Sequence, residues 1–385
     1  MASDMIGLAI LGSTGSVGRQ ALDVVRALPG RFRLVGLTAG RNVGLLRRQI
    51  EEFRPDTFWA RPGNEADMLM ADFGRKRWLP MEELAASPDV DVVLVATSGR
   101  AGLMPTLAAL EAGKAVALAN KEVLVIGGHV VRAALEEHGG ELRPVDSEHS
   151  ALWQCLWGES PDAIARLTLT ASGGAFRDLD REALERVTPQ RALEHPNWEM
   201  GPKVTVDSAT LFNKGLEAIE ARWLFDIPLE RIDVVQHRES VVHSLVTFVD
   251  GSVKAQLGEP DMRLPIQCAL TYPERMPVQL APPLDLAKRG ALHFEPVDHD
   301  RFPALGLALE AGRRGGTYAA ALSGADESAV AHFLAGRSRF TDIARLLEQA
   351  LDAHQSQDAP VLDDLLAAEE WGRRFVDVAM EASIR

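Results

Sequence analysis

The sequence predicts an α/β protein in which a mostly parallel, doubly wound sheet is followed by a mixed α+β region and a C-terminal helical bundle. Over about the first 150 residues, apolar strand-like runs alternate with helical stretches. In the middle, Asp250-Gly251 separates two alternating apolar runs, which is typical of an antiparallel hairpin. From Pro303 onward the chain is rich in Ala, Leu, Glu and Arg, which favours helices.

The length and composition bound the possibilities. A chain of 385 residues is too long for a single typical hydrophobic core. We place its domains at 1–146, 147–275 and 301–385, with a linker at 276–300. A net charge of −14 argues against nucleic acid as a partner. We find no apolar stretch of about 18 residues, so no membrane span is expected. Two cysteines and a start without a signal-like segment predict a cytoplasmic protein.

The elements of the first region follow in order. The predicted strands are Gly7–Leu11, Arg33–Thr38, Val90–Thr97, Val116–Ala119 and Leu142–Val145. The predicted helices between them include Arg19–Val25, Val43–Phe53 and Met104–Ala112. In the central region we expect strands at Leu167–Thr170, His243–Val249 and Ser252–Leu257. Ligands of doubly wound sheets bind at the carboxyl ends of the strands, so residues that follow these strands are candidates for function.

A glycine-rich turn separates the first strand from the first helix. Gly12, Gly15 and Gly18 form a G-x-x-G-x-x-G pattern, which lets a pyrophosphate approach backbone N–H groups at the helix N-terminus. The second strand is followed by Arg41 rather than by an acidic residue, which favours NADP over NAD because Arg41 can pair with a 2′-phosphate. The alternative for the glycines is a plain tight turn without a ligand. The alternative for Arg41 is an ordinary surface arginine.

Two carboxylates follow the strand at Leu142–Val145. Asp146 and Glu148, at positions i and i+2, are expected to project to the same side. Together with Glu217 they would offer oxygen ligands suited to Mg²⁺ or Mn²⁺. Lys121 follows a neighbouring strand, where it could donate to a substrate hydroxyl or carbonyl. The alternatives are a solvated acidic loop and a surface lysine.

A third polar group occurs in an apolar segment after residue 200. Apolar residues recur at helical spacing from Thr210, so Asn213, Lys214 and Glu217 are expected on neighbouring turns of one helix. Ser208 is predicted to be its N-cap, and an anion is favoured there by free N–H groups, the helix dipole and Lys214. The alternative is an ordinary capped surface helix.

These residues resemble one family closely, the 1-deoxy-D-xylulose 5-phosphate reductoisomerases of the non-mevalonate isoprenoid pathway. The matching blocks span most of the chain: Gly12–Gly18, Leu118–Glu122, Pro144–Ser150, Leu169–Arg177, His195–Phe225, His237–Ser244 and Gly258–Met262. Two departures are Ala171 and Ala175, where the family often has Gly and Pro. A third is Ala321–Glu327, where an asparagine-containing pattern is frequent.

The resemblance implies a homodimer with a Rossmann-like NADPH-binding domain, a central catalytic domain and a helical C-terminal domain. It implies NADPH and a divalent metal, Mg²⁺, Mn²⁺ or Co²⁺, as cofactors. The substrate would be the sugar phosphate 1-deoxy-D-xylulose 5-phosphate, rearranged and reduced to 2-C-methyl-D-erythritol 4-phosphate. A hydroxamate phosphonate such as fosmidomycin would bridge the anion site and the metal.

The resemblance also assigns residues. The metal ligands would be Asp146, Glu148 and Glu217, which with Lys121 form the catalytic set. NADPH would contact Thr14, Gly15, Ser16, Val17, Gly40, Arg41, Asn42, Asn120, Glu122 and Gly201. The substrate would contact Lys121, Ser147, Glu148, Ser172, His195, Trp198, Ser208, Asn213, Lys214 and Glu217. His195, Trp198 and Met200 match a flap over the substrate, and His243 and Met262 are similar to pocket-wall positions.

Two other classes of protein remain open from the sequence. An NADP-dependent semialdehyde dehydrogenase shares the glycine turn but needs a nucleophilic cysteine, for which Cys155 and Cys268 are the candidates. Both lie in apolar stretches, where a buried structural thiol is expected. A non-catalytic nucleotide sensor is the second alternative, although it would have no use for three carboxylates around a cation.

Overall fold

The computed structural model describes residues 5–194, 198 and 200–384. The chain forms two compact units. Unit 1 comprises Met1–Val123, Val131–Ser150 and Asp261–Pro283, and unit 2 comprises Leu124–Val130, Ala151–Pro260 and Leu284–Arg385. Each unit therefore draws on separate stretches of the chain, whereas the predicted domains are continuous; the domain boundaries stay a prediction.

The strands of the described residues are β1 Ile6–Leu11, β2 Phe32–Ala39, β3 Thr57–Ala60, β4 Val92–Val95, β5 Ala115–Leu118, β6 Glu141–Pro144, β7 Ile164–Ala171, β8 Ile232–Gln236, β9 Val242–Phe248, β10 Val253–Leu257 and β11 Glu295–Pro296. The helices are α1 Ser16–Ala27, α2 Val43–Phe53, α3 Asn64–Phe73, α4 Met81–Ala85, α5 Leu103–Glu111, α6 Glu122–His138, α7 Ser147–Leu156, α8 Arg181–Leu184, α9 Pro189–Ala192, α10 Pro202–Thr210, α11 Phe212–Phe225, α12 Arg263–Thr271, α13 Leu286–Arg289, α14 Pro303–Arg314, α15 Tyr318–Leu334, α16 Phe340–Ala353 and α17 Leu362–Ile384. None of the described helices is long and apolar enough to cross a membrane.

Unit 1 is built on a six-stranded parallel sheet. Its strand order is β3-β2-β1-β4-β5-β6, and every pairing is parallel. The direction of strand order reverses between β1 and β4, which is the position where such sheets bind ligands at the carboxyl ends of their strands. The sequence prediction of a doubly wound parallel sheet is confirmed.

Helix α12 belongs to unit 1. The predicted boundary at residue 275 instead places its residues in the central domain. Its residues Ile266, Ala269 and Leu270 share the hydrophobic core of Leu8 and Leu22. Unit 1 is thus completed by a stretch that lies more than 100 residues further along the chain.

Unit 2 contains a mixed sheet and the helical bundle. The sheet order is β10-β9-β7-β8-β11, in which β7 and β8 are parallel and the other pairs are antiparallel. The predicted Asp-Gly hairpin joins β9 to β10, and Oδ1 of Asp250 accepts hydrogen bonds from N and Oγ of Ser252 at 2.9 and 2.6 Å. The hairpin prediction is confirmed.

The C-terminal bundle consists of α14–α17, as the composition predicts. Helices α15 and α17 approach closely where both carry glycine. A Cβ at Gly324 would lie 1.9 Å from the carbonyl oxygen of Glu369, and one at Gly372 would lie 1.9 Å from that of Ala321. These glycines set the distance between the helices, because any larger residue would push the backbones apart.

Candidate functional site

The glycine turn after β1 is held in shape by backbone packing. Gly12 has a φ of 89°, and a Cβ there would lie 2.5 Å from the carbonyl oxygen of Ala96. A Cβ at Gly18 would lie 2.3 Å from the carbonyl oxygen of Gly12. Both positions therefore require glycine for reasons internal to the protein.

Gly15 differs from the other two glycines of the turn. Its φ of −73° suits any residue, and a Cβ there would meet backbone oxygens only at 3.4 and 3.8 Å. It is exposed, and it stands at the N-cap of α1 without a side-chain capping bond from the described residues. Since protein packing does not require glycine here, its lack of a side chain leaves room for a ligand at the helix N-terminus. Thr14, Ser16 and Val17 surround this point.

A buried polar network fixes the turn against its neighbours, and the sequence did not reveal it. Oγ of Ser13 donates to Oε1 of Gln49 at 2.7 Å, and Nε2 of Gln49 donates back to the carbonyl oxygen of Ser13 at 2.9 Å. The backbone N of Gly12 donates to Oγ1 of Thr38 at 2.9 Å. Helix α2 and strand β2 thereby position the backbone that would face a pyrophosphate.

The residues after β2 are open to solvent. Gly40, Arg41 and Asn42 are all exposed, and Oδ1 of Asn42 caps α2 by accepting from the backbone N of Leu45 at 3.1 Å. Because β2 is parallel to β1, its carboxyl end lies at the same edge of the sheet as the glycine turn. This placement suits Arg41 for the adenosine end of a dinucleotide.

Polar residues also follow the next three strands in the sheet. Nδ2 of Asn120, after β5, donates to Oγ1 of Thr97 and the carbonyl oxygen of Gly99, which follow β4. Lys121 is buried, and its Nζ lies 2.6 Å from Oδ2 of Asp146, which follows β6. Unit 1 thus brings Asn120, Lys121 and Asp146 to the carboxyl edge of its sheet. Glu122 begins α6 directly after Lys121.

The geometric reason given for pairing Asp146 with Glu148 is wrong. The strand ends at Pro144 and a helix, α7, begins at Ser147, so the two acidic residues do not alternate along a strand. They nevertheless approach, with one oxygen of each within 4.8 Å. Oγ of Ser147 donates to Oε2 of Glu148 at 2.6 Å, which orients that carboxylate. The pair arises from a strand-to-helix turn, which an i, i+2 pattern does not distinguish from a continuing strand.

The prediction that Ser208 caps a helix is also wrong. Ser208 lies inside α10. The helical conformation is interrupted at Leu211, whose φ is 61°, and α11 begins at Phe212. Ser208 and Asn213 are therefore on two consecutive helices that meet at a one-residue corner. The break occurs at an apolar residue, so the periodicity of apolar positions runs through it unaltered.

Glu217 is buried within unit 2 and is held by two residues of its own helix. Nδ2 of Asn213 donates to Oε1 of Glu217 at 2.5 Å, and Nζ of Lys214 lies 2.5 Å from Oε2. The side chains of Lys214 and Glu217 are 5% and 2% exposed. A buried carboxylate is stable only when it is paired, so this set of residues is fixed in position.

The loop after β7 places Ser172 next to helix α10. Gly173 and Gly174 both have positive φ angles, 82° and 68°. A Cβ at Gly174 would lie 2.5 Å from the carbonyl oxygen of Ser208, so the loop packs directly on α10. Unit 2 therefore brings the segments of Ser172 and Ser208 together. Nη1 of Arg177 closes the loop by donating to the carbonyl oxygen of Ser172 at 2.9 Å.

The flap residues are only partly described. His195 lies outside the described residues, Trp198 and Met200 are half-buried, and Gly201 is exposed at the N-cap of α10. The ring of Trp198 lies 6.3 Å from that of His243. Burial lowers the pKa of His243 to about 4; a hydrogen bond to the backbone of Gly258 opposes this shift, and the charges of His237 and Lys214 add to it. The imidazole of His243 is therefore neutral near pH 7, and its wall role stays a prediction.

Met262, the other predicted wall residue, packs on the hydrophobic core of unit 1 and directly precedes α12. Nothing in this placement ties it to a substrate, so its wall role stays a prediction.

Neither cysteine has the environment of a nucleophile. Cys155 is buried and Cys268 is partly buried. Burial raises the pKa of both thiols, that of Cys268 to about 11. A thiolate is thus disfavoured at both positions, which argues against the semialdehyde dehydrogenase alternative.

A doubly wound sheet with a ligand-accessible glycine turn at its switch point defines the class: a dinucleotide-binding protein. The carboxylate and lysine side chains at the carboxyl ends of β5 and β6 suit an enzyme of that class.

Sequence comparison then gives the family. The family model of 1-deoxy-D-xylulose 5-phosphate reductoisomerase matches residues 8–128, that of its C-terminal domain matches 142–225, and a DXP reductoisomerase C-terminal domain model matches 257–375. The chain is 50% identical to the enzyme of that name from Geobacillus sp. (strain WCH70), covering 96% of this chain and 98% of that one. It is also 50% identical to the one from Thermomicrobium roseum, covering 99% of both. The chain belongs to the 1-deoxy-D-xylulose 5-phosphate reductoisomerase family, as its sequence motifs predicted.

Solved structures agree with this assignment. A crystal structure of DOX-P reductoisomerase in complex with NADPH, fosmidomycin and magnesium matches with a TM-score of 0.94 at 40% identity, covering 99% of this chain and all of that one. The Zymomonas mobilis enzyme in complex with NADPH matches with a TM-score of 0.90 at 40% identity, covering 98% of this chain and all of that one. The predicted fold class, including the helical C-terminal region, and the predicted oxidoreductase class are confirmed.

Proposed function

We propose that this chain converts 1-deoxy-D-xylulose 5-phosphate to 2-C-methyl-D-erythritol 4-phosphate, using NADPH and a divalent metal, in isoprenoid precursor biosynthesis. The observation that carries the proposal is 50% identity to enzymes of this name over nearly the whole chain. The predicted activity is confirmed at the level of the family. NADPH and a divalent metal are confirmed in the same way, because solved relatives contain NADPH and magnesium, while Mn²⁺ and Co²⁺ stay predictions.

All but one of the proposed NADPH contacts lie in unit 1, and the exception, Gly201, lies in unit 2. The exposed Gly15 at the start of α1 suits the pyrophosphate, and the exposed Arg41 after β2 suits a 2′-phosphate. Asn120 and Glu122, after β5, would lie toward the nicotinamide, since they follow a strand on the other side of the switch point. Thr14, Ser16, Val17, Gly40, Asn42 and Gly201 complete the proposed contacts.

Asp146, Glu148 and Glu217 are proposed to hold the metal. The donors are all carboxylate oxygens, which suit Mg²⁺ or Mn²⁺, and the two in unit 1 are already close enough to share an ion. When bound, the metal would polarise the substrate ketone and stabilise negative charge on its oxygens. The approach of Asp146 and Glu148 favours positive charge beside them, part of which Lys121 already supplies to Asp146.

The protein's own side chains would orient and protonate the substrate. Lys121, a buried ammonium beside Asp146, can donate to a substrate oxygen, while Ser147 holds Glu148 in place. Ser172, Ser208, Asn213 and Lys214 would bind the phosphate and hydroxyl groups, using binding energy remote from the reacting bond for orientation. His195 and Trp198 would cover the substrate and exclude water.

We also propose a cytoplasmic homodimer. The two free thiols suit a reducing compartment. Strand β10 bonds only to β9 among the described strands, and its first three residues are exposed, including Val253 at 54%; Val249, in the turn before it, is 69% exposed. An open, apolar edge of this kind suits pairing with a second copy. Light scattering of wild type and a Val253→Lys variant tests this; a monomeric wild type would refute the dimer.

Substitution of Glu217 distinguishes the enzyme from a nucleotide sensor of the same fold. Glu217→Gln keeps the size and the hydrogen bond to Asn213 but removes the charge. We expect metal-dependent turnover to fall at least about 100-fold, while the dissociation constant for NADPH stays within about twofold. Glu310→Gln, on a surface ion pair of the bundle, is the matched control. Unaltered turnover in Glu217→Gln would refute its role as a metal ligand.

A further inference from the structure

Lys203 joins helix α10 to the C-terminal bundle through two buried carboxylates. Its Nζ lies 2.5 Å from Oδ2 of Asp207, one turn further along α10, and 2.8 Å from Oδ2 of Asp326 on α15. The carboxylate side chains are 1% and 0% exposed and that of Lys203 is 26% exposed. We call these three residues the Lys203 bridge. The contact with Asp207 is a charge-assisted hydrogen bond and that with Asp326 is an ion pair, and contacts of a charged group with buried carboxylates are strong.

The bridge is continuous with the corner between α10 and α11. While the side chain of Asp207 contacts Lys203, its carbonyl oxygen accepts a hydrogen bond from Oγ1 of Thr210 at 3.1 Å. The same Oγ1 accepts from the backbone N of Phe212 at 3.2 Å, across the break at Leu211. One residue, Asp207, therefore connects the bundle to the backbone turn that separates α10 from α11.

The corner carries the residues proposed to bind the substrate phosphate. Ser208 directly follows Asp207, and Asn213 and Lys214 lie in the first turn of α11. A shift of α10 relative to α15 would move Ser208 relative to Lys214, because the two helices meet at a single residue. An anion held by several donors loses affinity when their spacing is no longer fixed.

We propose that Asp326 is a positioning residue for the phosphate end of the substrate site, acting through Lys203 and Asp207. This proposal rests on the proposed function, since it takes Ser208, Asn213 and Lys214 as the phosphate contacts. Asp326 lies on the helical bundle, in a segment to which neither the motifs nor the resemblance assigned a role. Its carboxylate fixes α10 so that the phosphate meets a preformed set of donors.

The test compares Asp326→Asn with wild type. Asparagine keeps the shape but removes the charge, so Lys203 loses its ion pair with α15 and keeps the one with Asp207. We expect KM for 1-deoxy-D-xylulose 5-phosphate and the inhibition constant of inorganic phosphate to rise together by about three- to tenfold. The kcat and the dissociation constant for NADPH should stay within about twofold, because none of the residues proposed to bind the metal or the cofactor belongs to the bridge.

A control separates positioning from stability. His332 is a buried residue of α15, and its Nε2 lies 2.9 Å from Oδ1 of Asp377 on α17 in the same bundle. His332→Gln should lower the melting temperature by an amount similar to that of Asp326→Asn while leaving KM unchanged. Equal changes of KM in the two variants would overturn the proposal.

A double-mutant cycle tests whether Asp326 acts through Lys203. If it does, Lys203→Met combined with Asp326→Asn should raise KM no more than Lys203→Met alone. Multiplicative effects would contradict the bridge. Should Asp326→Asn fail to fold, Lys203→Met is measured alone, and an unaltered KM in that variant would also overturn the proposal. Wild-type protein that does not turn over the sugar phosphate would instead refute the proposed function.

Discussion

Nζ of Lys121 lies 2.6 Å from Oδ2 of Asp146, joining the residues that follow β5 and β6 in unit 1. Both side chains are nearly buried, at 10% and 15% exposure. The pair places an ammonium group and a carboxylate suited to metal binding side by side. Both lie at the edge of the sheet where doubly wound proteins bind their ligands.

Removal of the Lys121 ammonium should impair chemistry more than cofactor binding. In Lys121→Met we expect kcat to fall by at least about 100-fold, because a general acid or oriented donor contributes about that much. The dissociation constant for NADPH, measured by fluorescence titration, should change by less than about threefold. Lys288→Met, at a side chain that is 86% exposed, serves as the control. A kcat within twofold of wild type would eliminate Lys121 from the reaction.

The glycines of the turn should separate into two kinds. Gly18→Ala should destabilise unit 1 by about 1–3 kcal/mol, since its Cβ would overlap the carbonyl oxygen of Gly12. Gly15→Ala should leave thermal stability without NADPH almost unaltered but weaken NADPH binding at least about tenfold. Gly44→Ala, on the exposed side of α2 with no neighbouring atoms within 4 Å, is the control. Normal NADPH affinity in Gly15→Ala would show that the ligand lies elsewhere.

Arg41 should determine the preference between the two nicotinamide cofactors. In Arg41→Asp we expect the ratio of kcat/KM for NADPH to that for NADH to fall by about 100-fold or more, because a 2′-phosphate would meet a carboxylate rather than a guanidinium. Arg48→Asp makes the same change of charge on α2 and should leave the ratio within about twofold. An unaltered ratio in the Arg41 variant would leave Arg41 as an ordinary surface residue.

The buried His243 should make stability depend on pH. Its pKa is lowered to about 4, so between the unfolded value of 6.5 and about 4 the unfolded chain binds a proton that the folded protein does not. Its contribution is therefore complete above pH 6.5 and is lost as the pH falls toward 4, on the order of 3 kcal/mol in total. Urea unfolding at several pH values should show a smaller decline in His243→Gln than in wild type, with the exposed His138→Gln as control. Parallel curves for all three proteins would contradict a neutral buried imidazole.

Much of the fold could be predicted because its signals are periodic. The apolar run of β1 and the amphipathic pattern of Val43–Phe53 each report a local structure that tertiary packing preserves, and α2 has those bounds. The hairpin at Asp250-Gly251 and the helices after Pro303 are of the same kind. In each case the local preference and the global fold agree.

The features that could not be predicted depend on single residues or distant contacts. Leu211 adopts a left-handed backbone conformation, which an apolar side chain does not predict. The corner between α10 and α11 was therefore missed. Gln49 resembles a solvent-facing helix residue, although it is buried against Ser13. Asp326 contacts Lys203 from 123 positions away, and only the folded chain shows this.

Metal-dependent oxidation of NADPH by purified protein, with 1-deoxy-D-xylulose 5-phosphate as substrate, tests the proposed function most directly. We expect NADPH consumption to match formation of 2-C-methyl-D-erythritol 4-phosphate one to one, to require Mg²⁺ or Mn²⁺, to stop on chelation and to be inhibited by fosmidomycin. Absence of NADPH oxidation with folded protein, substrate and either metal would contradict the assignment of this chain's activity.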